Sequence, residues 1–280
     1  MLFLRNVRFS LFLISVLGFT ANSTVAAQDT INIGGTGTGT LLIQHLVESY
    51  AKLHPNIEIK PIMPPMGSNG GLRALAAGAI QIAVVTFPAT YPAKPDTSSA
   101  NIETPWVKTP FVFTGRDVTN ETKLSLAQVA SYYSGRTNQW PDGKPVRLIT
   151  RTERESDTRI LRAISPDMDA AVVTALKRTG MPFAENDFDN QELLEKAPGS
   201  LGTIALGQIL LTKSPLKPAI LDGVTPSKES LQIGTYHHEK PLYLITSKTP
   251  SAATLDFIKY LKSPDVMKLV SKFEFIPMQN

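Results

Sequence analysis

The chain has 280 residues, with 28 Lys+Arg against 24 Asp+Glu, a formal charge of +4, and no cysteine. That length can bury a full core without covalent staples, and the lack of thiols excludes a disulfide framework, thiolate catalysis and thiolate metal ligation. The small positive balance contains no block of like charge, so composition gives no basis for a nucleic-acid partner.

The chain opens with a predicted export signal over residues 1–27. Arg5 and Arg8 form a positive start, residues 9–19 are an apolar run too short to span a bilayer comfortably, and Val25-Ala26-Ala27 supplies the small residues of a cleavage site. A short membrane anchor is the alternative reading of the same run. The mature chain is expected to start near Gln28, to be exported and periplasmic, and to carry a formal charge reduced from +4 to +2 by the loss of the two arginines.

From residue 30 to about 90 the pattern alternates strand and helix. Residues 31–33 read as a strand, 40–53 as a helix, 57–62 as a strand, "GSNGGLRALAAGA" as a turn and helix, and 80–85 as a buried strand. Such repeats imply a parallel sheet covered by helices. Proline-rich "TFPATYPAKPDTSS" reads as a loop, residues 106–113 as a strand, and Gly115-Arg116-Asp117 as a hinge. Next come a helix in "LSLAQVASYYSG", a strand in "PVRLITR", a helix opening at "SDTRILRAI", and strands in "SLGTIAL" and "PAILDG". Residues 241–246 form a last strand, and Thr249-Pro250 and Ser263-Pro264 each read as an N-cap followed by proline, so two helices close the chain.

Three turns place small hydroxyl or glycine residues between a strand and a helix: 36–40, 67–71 and 156–158. A helix start exposes unpaired N–H groups and the positive end of the helix dipole, and hydroxyls add donors. Each turn alone reads more readily as a plain capped helix start; three converging would hold a small anion. Other glycine-loop readings fail on specifics. A nucleotide P-loop needs lysine where Thr40 and Leu41 follow Gly39, and Glu58 lies inside its strand instead of at the end where a dinucleotide fold needs an acid.

Catalytic constellations are thin. His45, His54, His237 and His238 lack metal-ligand spacing, Ser200 in "PGSLG" lacks the pattern of a nucleophile elbow, and the acids Glu153, Glu155 and Asp157 alternate with Arg151, Arg154 and Arg159. No cofactor and no metal is expected.

The order "GTGTGT", helix, strand, "GSNGG", helix, "IQIAVV", then "SLAQVASYYSGRTNQWPDGKPVRLITRTERESDT" and "GSLGTIAL", resembles the phosphate-binding-like branch of periplasmic solute-binding proteins. So does the ending, "ILDGVTPSKESLQIGTYHHEKPLYLITSKTPSAATLDFIKYLKSPDV". The resemblance implies an α/β fold of the type II periplasmic binding protein class, with two lobes, each a mixed sheet flanked by helices, and two hinge crossovers. One lobe would take 28–114 and 239–280 and the other 115–238, with crossings near Gly115 and His238.

The resemblance also implies a ligand set. Thr38, Gly39 and Thr40 correspond to the hydroxyl and N–H donors at the first helix start, and Ser68 to a serine in the second turn. Thr86 stands where phosphate binders carry an aspartate that accepts the phosphate proton. Arg151 with Ser156-Asp157-Thr158 corresponds to an arginine before a Ser-Gly-Thr turn, with one extra residue and with aspartate replacing glycine. Without the acceptor at Thr86, phosphate has little advantage over other oxyanions. Asp157 would repel an anion unless its carboxylate turns outward to cap the helix. The implied role is a monomeric, non-catalytic binder of a small anionic or polar solute that serves an ABC permease. The alternatives are an accessory protein to a membrane sensor, or an exported hydrolase using the same cleft.

Overall fold

The computed structural model describes residues 29–87 and 101–279, so the expected export signal and most of the proline-rich loop lie outside the described residues. The chain begins with β1 (Asp29–Gly35), α1 (Gly37–Leu53), β2 (Ile57–Pro61), α2 (Gly67–Ala76) and β3 (Ile82–Val85). Strand β1 pairs in parallel with β2 and β3. Helix α1 buries Leu42, Ile43, Leu46 and Tyr50 along one face, and it ends at His54, ahead of Pro55.

Helix α1 starts at Gly37, three residues before the expected start, so the glycine-threonine run is its first turn. Packing outweighs the poor helix propensity of glycine here. A Cβ on Gly39 would lie 2.3 Å from Val84 Cγ1, so α1 rests directly on β3.

The long strand β4 (Asn101–Thr114) comes next. After it follow β5 (Lys123–Leu124), α3 (Leu126–Ser134), β6 (Arg147–Leu148), β7 (Thr150–Arg151), α4 (Ser156–Ala163) and α5 (Pro166–Leu176). Then come β8 (Phe183–Ala184), α6 (Asp187–Lys196), β9 (Ser200–Ala205), α7 (Leu206–Leu211), β10 (Ile220–Leu221) and α8 (Lys228–Gln232). The chain closes with β11 (Glu239–Ser247), α9 (Ala252–Leu261), α10 (Pro264–Val270) and β12 (Ile276–Pro277).

Local chemistry sets several boundaries. Ser125 and Gln128 form a reciprocal capping box at the start of α3, and Gly135 stops that helix in the left-handed region at φ 78°. Ser263 caps α10 with Pro264 in its first turn. Helix α9 is capped by Ser251, not by Thr249, because Ser251 Oγ accepts from Thr254 N at 3.1 Å.

The main sheet runs β2-β1-β3-β11-β4-β9-β6, with β12 also on β4. Strand β4 joins its two halves: residues up to Pro110 pair with β11, and Phe111 to Thr114 pair with β9. A core containing Ile31, Leu42, Val84, Trp106, Leu244, Phe257 and Phe275 lies on one side of this change of partner. A second, with Phe111, Phe113, Val129, Tyr133, Leu161, Met168 and Leu201, lies on the other.

The stretch "PVRLITR" forms two short strands instead of one. Ile149 N donates to Leu201 O, while Thr150 N donates to Pro182 O, so the chain leaves β9 and joins β8 within two residues. Arg151 sits directly after that switch and is buried.

Candidate functional site

Between the two cores lies a polar layer in which Thr36, Thr38, Arg151, Asp157, Asp187, Gln208 and Lys240 are buried. Burial of charge is costly unless each group is paired, and the pairing here is dense. Arg151 Nη1 donates to Asp187 Oδ1 at 2.7 Å and to Asp157 Oδ2 at 3.3 Å, and its Nη2 donates to Glu155 Oε2 at 2.8 Å. Lys240, fully buried at the start of β11, donates to Asp187 Oδ1 at 2.9 Å. Its Nζ also lies 2.6 Å from Asp157 Oδ1, a close ion pair without hydrogen-bond geometry.

The other oxygen of Asp187 faces the start of α1. Asp187 Oδ2 accepts from Thr36 Oγ1 at 3.0 Å and, through a very short contact, from Gly37 N. One carboxylate thus takes donors from a hydroxyl, a helix N-terminus, a guanidinium and an ammonium. Gly37 permits this approach, since a Cβ there would lie 2.7 Å from Asp187 Cβ and Oδ2. Nearby, Thr38 Oγ1 donates to Gln208 Oε1 at 2.8 Å.

The starts of α2 and α4 meet beside this cluster. Ser68 Oγ is 3.4 Å from Ser156 Oγ and accepts from Thr86 N at 3.0 Å, and Asn69 Nδ2 donates to Arg154 O at 2.9 Å. The Thr86 hydroxyl and Arg151 Nε are buried and make no hydrogen bond among the described residues.

The expected site residues therefore divide. Thr38, Ser68, Thr86, Arg151, Ser156 and Asp157 come together between the cores. Gly39 packs on Val84, the Thr40 hydroxyl turns back to Thr36 O at 3.0 Å, and the Thr158 hydroxyl donates to Arg151 O at 3.2 Å. Asp157 does not turn outward as a cap. Its carboxylate is drawn inward by Arg151 and Lys240, and the N-cap of α4 is Glu155, with no side-chain cap bond. Sequence reading missed Asp187 and Lys240, neither of which sits in a recognisable motif.

The electrostatics follow from this packing. Burial alone would raise the Asp187 carboxyl, but Lys240 and Arg151 outweigh it and hold the group well below the usual carboxylate range. Burial alone would lower Lys240, yet Asp157 and Asp187 raise it above 10.5. Glu155 behaves oppositely to Asp187: burial pushes its carboxyl above 4.5, and the Arg151 charge only partly offsets that.

The raised Glu155 carboxyl makes stability depend on pH. Between 4.5 and its raised value the folded state binds more protons than the unfolded state, so this group's contribution is lost as pH rises through that window. Glu155→Gln should accordingly flatten the fall in stability with rising pH, measured as urea midpoints across pH 4.5 to 8. An unchanged slope would contradict the placement of Glu155.

Ser200 is engaged structurally. Its hydroxyl accepts from Arg116 N and donates to Leu194 O, both at 2.8 Å.

Residues 20–265 match the family model described as the PBP superfamily domain. The chain belongs to the PBP superfamily. A substrate-binding protein from Clostridium perfringens, solved with bound phosphate, is similar over 90% of this chain and 100% of that one, with a TM-score of 0.75 at 13% identity. An ABC-type phosphate transport receptor from Vibrio cholerae covers 89% of this chain and 100% of its own, with a TM-score of 0.63 at 17% identity. At such identities the likeness shows the fold alone: two α/β lobes with mixed sheet and helices. Among curated proteins, phosphate-binding protein PstS 2 of Streptococcus agalactiae serotype V is 30% identical over 88 residues, or 31% of this chain. That match spans only 29% of the PstS 2 length.

Proposed function

We propose that this PBP superfamily protein is an exported binder of a small oxyanion or similar polar solute, held between its lobes and delivered to an ABC importer. We take the lobes as 28–114 with 239–280, and 115–238. One observation carries the reading: the seat at the start of α1 already surrounds an oxyanion, the Asp187 carboxylate, with four donors drawn from both sides of the cleft. Carboxylate oxygens here stand in for those of a solute. Backbone N–H groups and a helix dipole suit anions in general, and the paired cations add charge-assisted bonds. The Clostridium and Vibrio proteins, named for phosphate, support an anion as the solute class. Thr86, with no carboxylate to accept a phosphate proton, argues for weak preference for phosphate over other oxyanions.

Thermal unfolding of the mature protein against phosphate, sulfate, molybdate, arsenite and small organophosphonates tests this. A ligand at 100 times its dissociation constant adds about 2.7 kcal/mol of stability. At least one anion should raise the unfolding temperature in a saturable way. A flat response to the whole panel would overturn an oxyanion as the solute, and submicromolar phosphate binding with rejection of sulfate would overturn the weak preference for phosphate.

A further inference from the structure

The anion seat holds a carboxylate that belongs to the chain, and the role of that carboxylate rests on the solute-binding function proposed for the seat. Asp187 and Arg151 come from the segment 115–238, whereas Thr36, Gly37 and Lys240 come from the other. The carboxylate therefore bridges the two cores as a bound solute would. The fit is specific on both sides: Gly37 leaves room for Asp187 where any Cβ would collide, and Asn186 fixes the start of α6 by accepting from Phe188 N at 2.8 Å and Asp189 N at 3.1 Å. The charges about the seat are Arg151 and Lys240 against Asp157, Asp187 and Glu155. A dianion entering beside all three carboxylates would meet net repulsion, so it must take the place of one of them.

We infer that Asp187 is a tethered anion that latches the cleft and competes with the solute for its seat, which makes it a determinant of anion affinity and selectivity. A solute oxyanion gains Thr36, Gly37, Arg151 and Lys240 only when the Asp187 carboxylate swings out. Inorganic dianions such as phosphate and sulfate are held back by this competition, and removing the carboxylate releases them.

The test compares the wild-type mature protein with Asp187→Asn and Asp187→Ala, each checked for folding by circular dichroism. Asparagine keeps the shape and an amide, so it reports even where alanine does not fold. Small-angle scattering in buffer free of oxyanions should give a larger radius of gyration for the variants than for wild type. Phosphate or sulfate should return them to the compact form. Calorimetry should show both anions bound about tenfold or more tightly by the variants than by wild type, the scale of one charge-assisted hydrogen bond. A variant with wild-type radius and wild-type affinity would overturn the inference. So would a loss of affinity, which would make Asp187 an acceptor that the solute requires. Variants that open while no protein binds any anion would leave the latch standing and overturn the solute-binding reading instead.

Discussion

Arg151→Ala should lower the unfolding free energy by about 3–5 kcal/mol, the usual cost of removing one partner from a buried ion cluster. The sequence reading expects a different result, weaker anion binding with little change in stability, because it treats Arg151 as a counter-charge open to a solute. In the structure its guanidinium is buried against Asp157, Asp187 and Glu155. Without it, three carboxylates share the single ammonium of Lys240, and two of them are buried. Urea unfolding with an unchanged m-value measures the loss. Arg154→Ala is the control: its side chain is exposed, so the change should stay within about 0.5 kcal/mol. A loss below about 1 kcal/mol for Arg151→Ala would contradict the buried cluster.

A chain ending at Pro226 should not fold cooperatively. Strand β11 lies in the middle of the main sheet, between β3 and β4, and it would be missing. So would Phe257, Leu261, Val266, Val270 and Phe275, which belong to the same core as Ile31 and Leu42. Each such side chain contributes roughly 1.5–3 kcal/mol on burial, so the five together are comparable to the whole of the roughly 5–15 kcal/mol that keeps an ordinary domain folded. Lys240 leaves with the same segment, so Asp157 and Asp187 lose one of their two cations. Calorimetry of the fragment should show no sharp transition. A cooperative transition near that of the whole chain would contradict the observed sheet order.

The fold was legible because its signals are local. Strand–helix alternation, the Ser263 cap and the glycine that ends "LSLAQVASYYSG" are each readable within a few residues. The start of α1 was less so, since Gly37 and Gly39 look like loop residues until their contacts with Asp187 and Val84 are known. The site was only half legible. Arg151 ends a short strand, and Ser68, Ser156 and Asp157 lie in the first turns of helices, in stretches whose pattern is visible in the sequence. Asp187 and Lys240 carry no such pattern, because what distinguishes them is tertiary: 53 positions separate them, and 151 separate Asp187 from Thr36. Charge patterning over 151–159 reads as a self-neutralised helix start. The structure instead brings in one more acid and one more base from distant strands and helices, and buries the set between two cores.

We propose that a solute oxyanion is held at the helix starts that face Arg151 and Lys240. A backbone amide NMR titration of the deuterated mature protein with phosphate, sulfate and molybdate in turn tests it most directly. Saturable shifts at the Gly37, Thr38, Ser68 and Ser156 amides, with one shared dissociation constant, are the predicted result. Shifts that leave the Gly37 amide unmoved, or that never saturate, would contradict it.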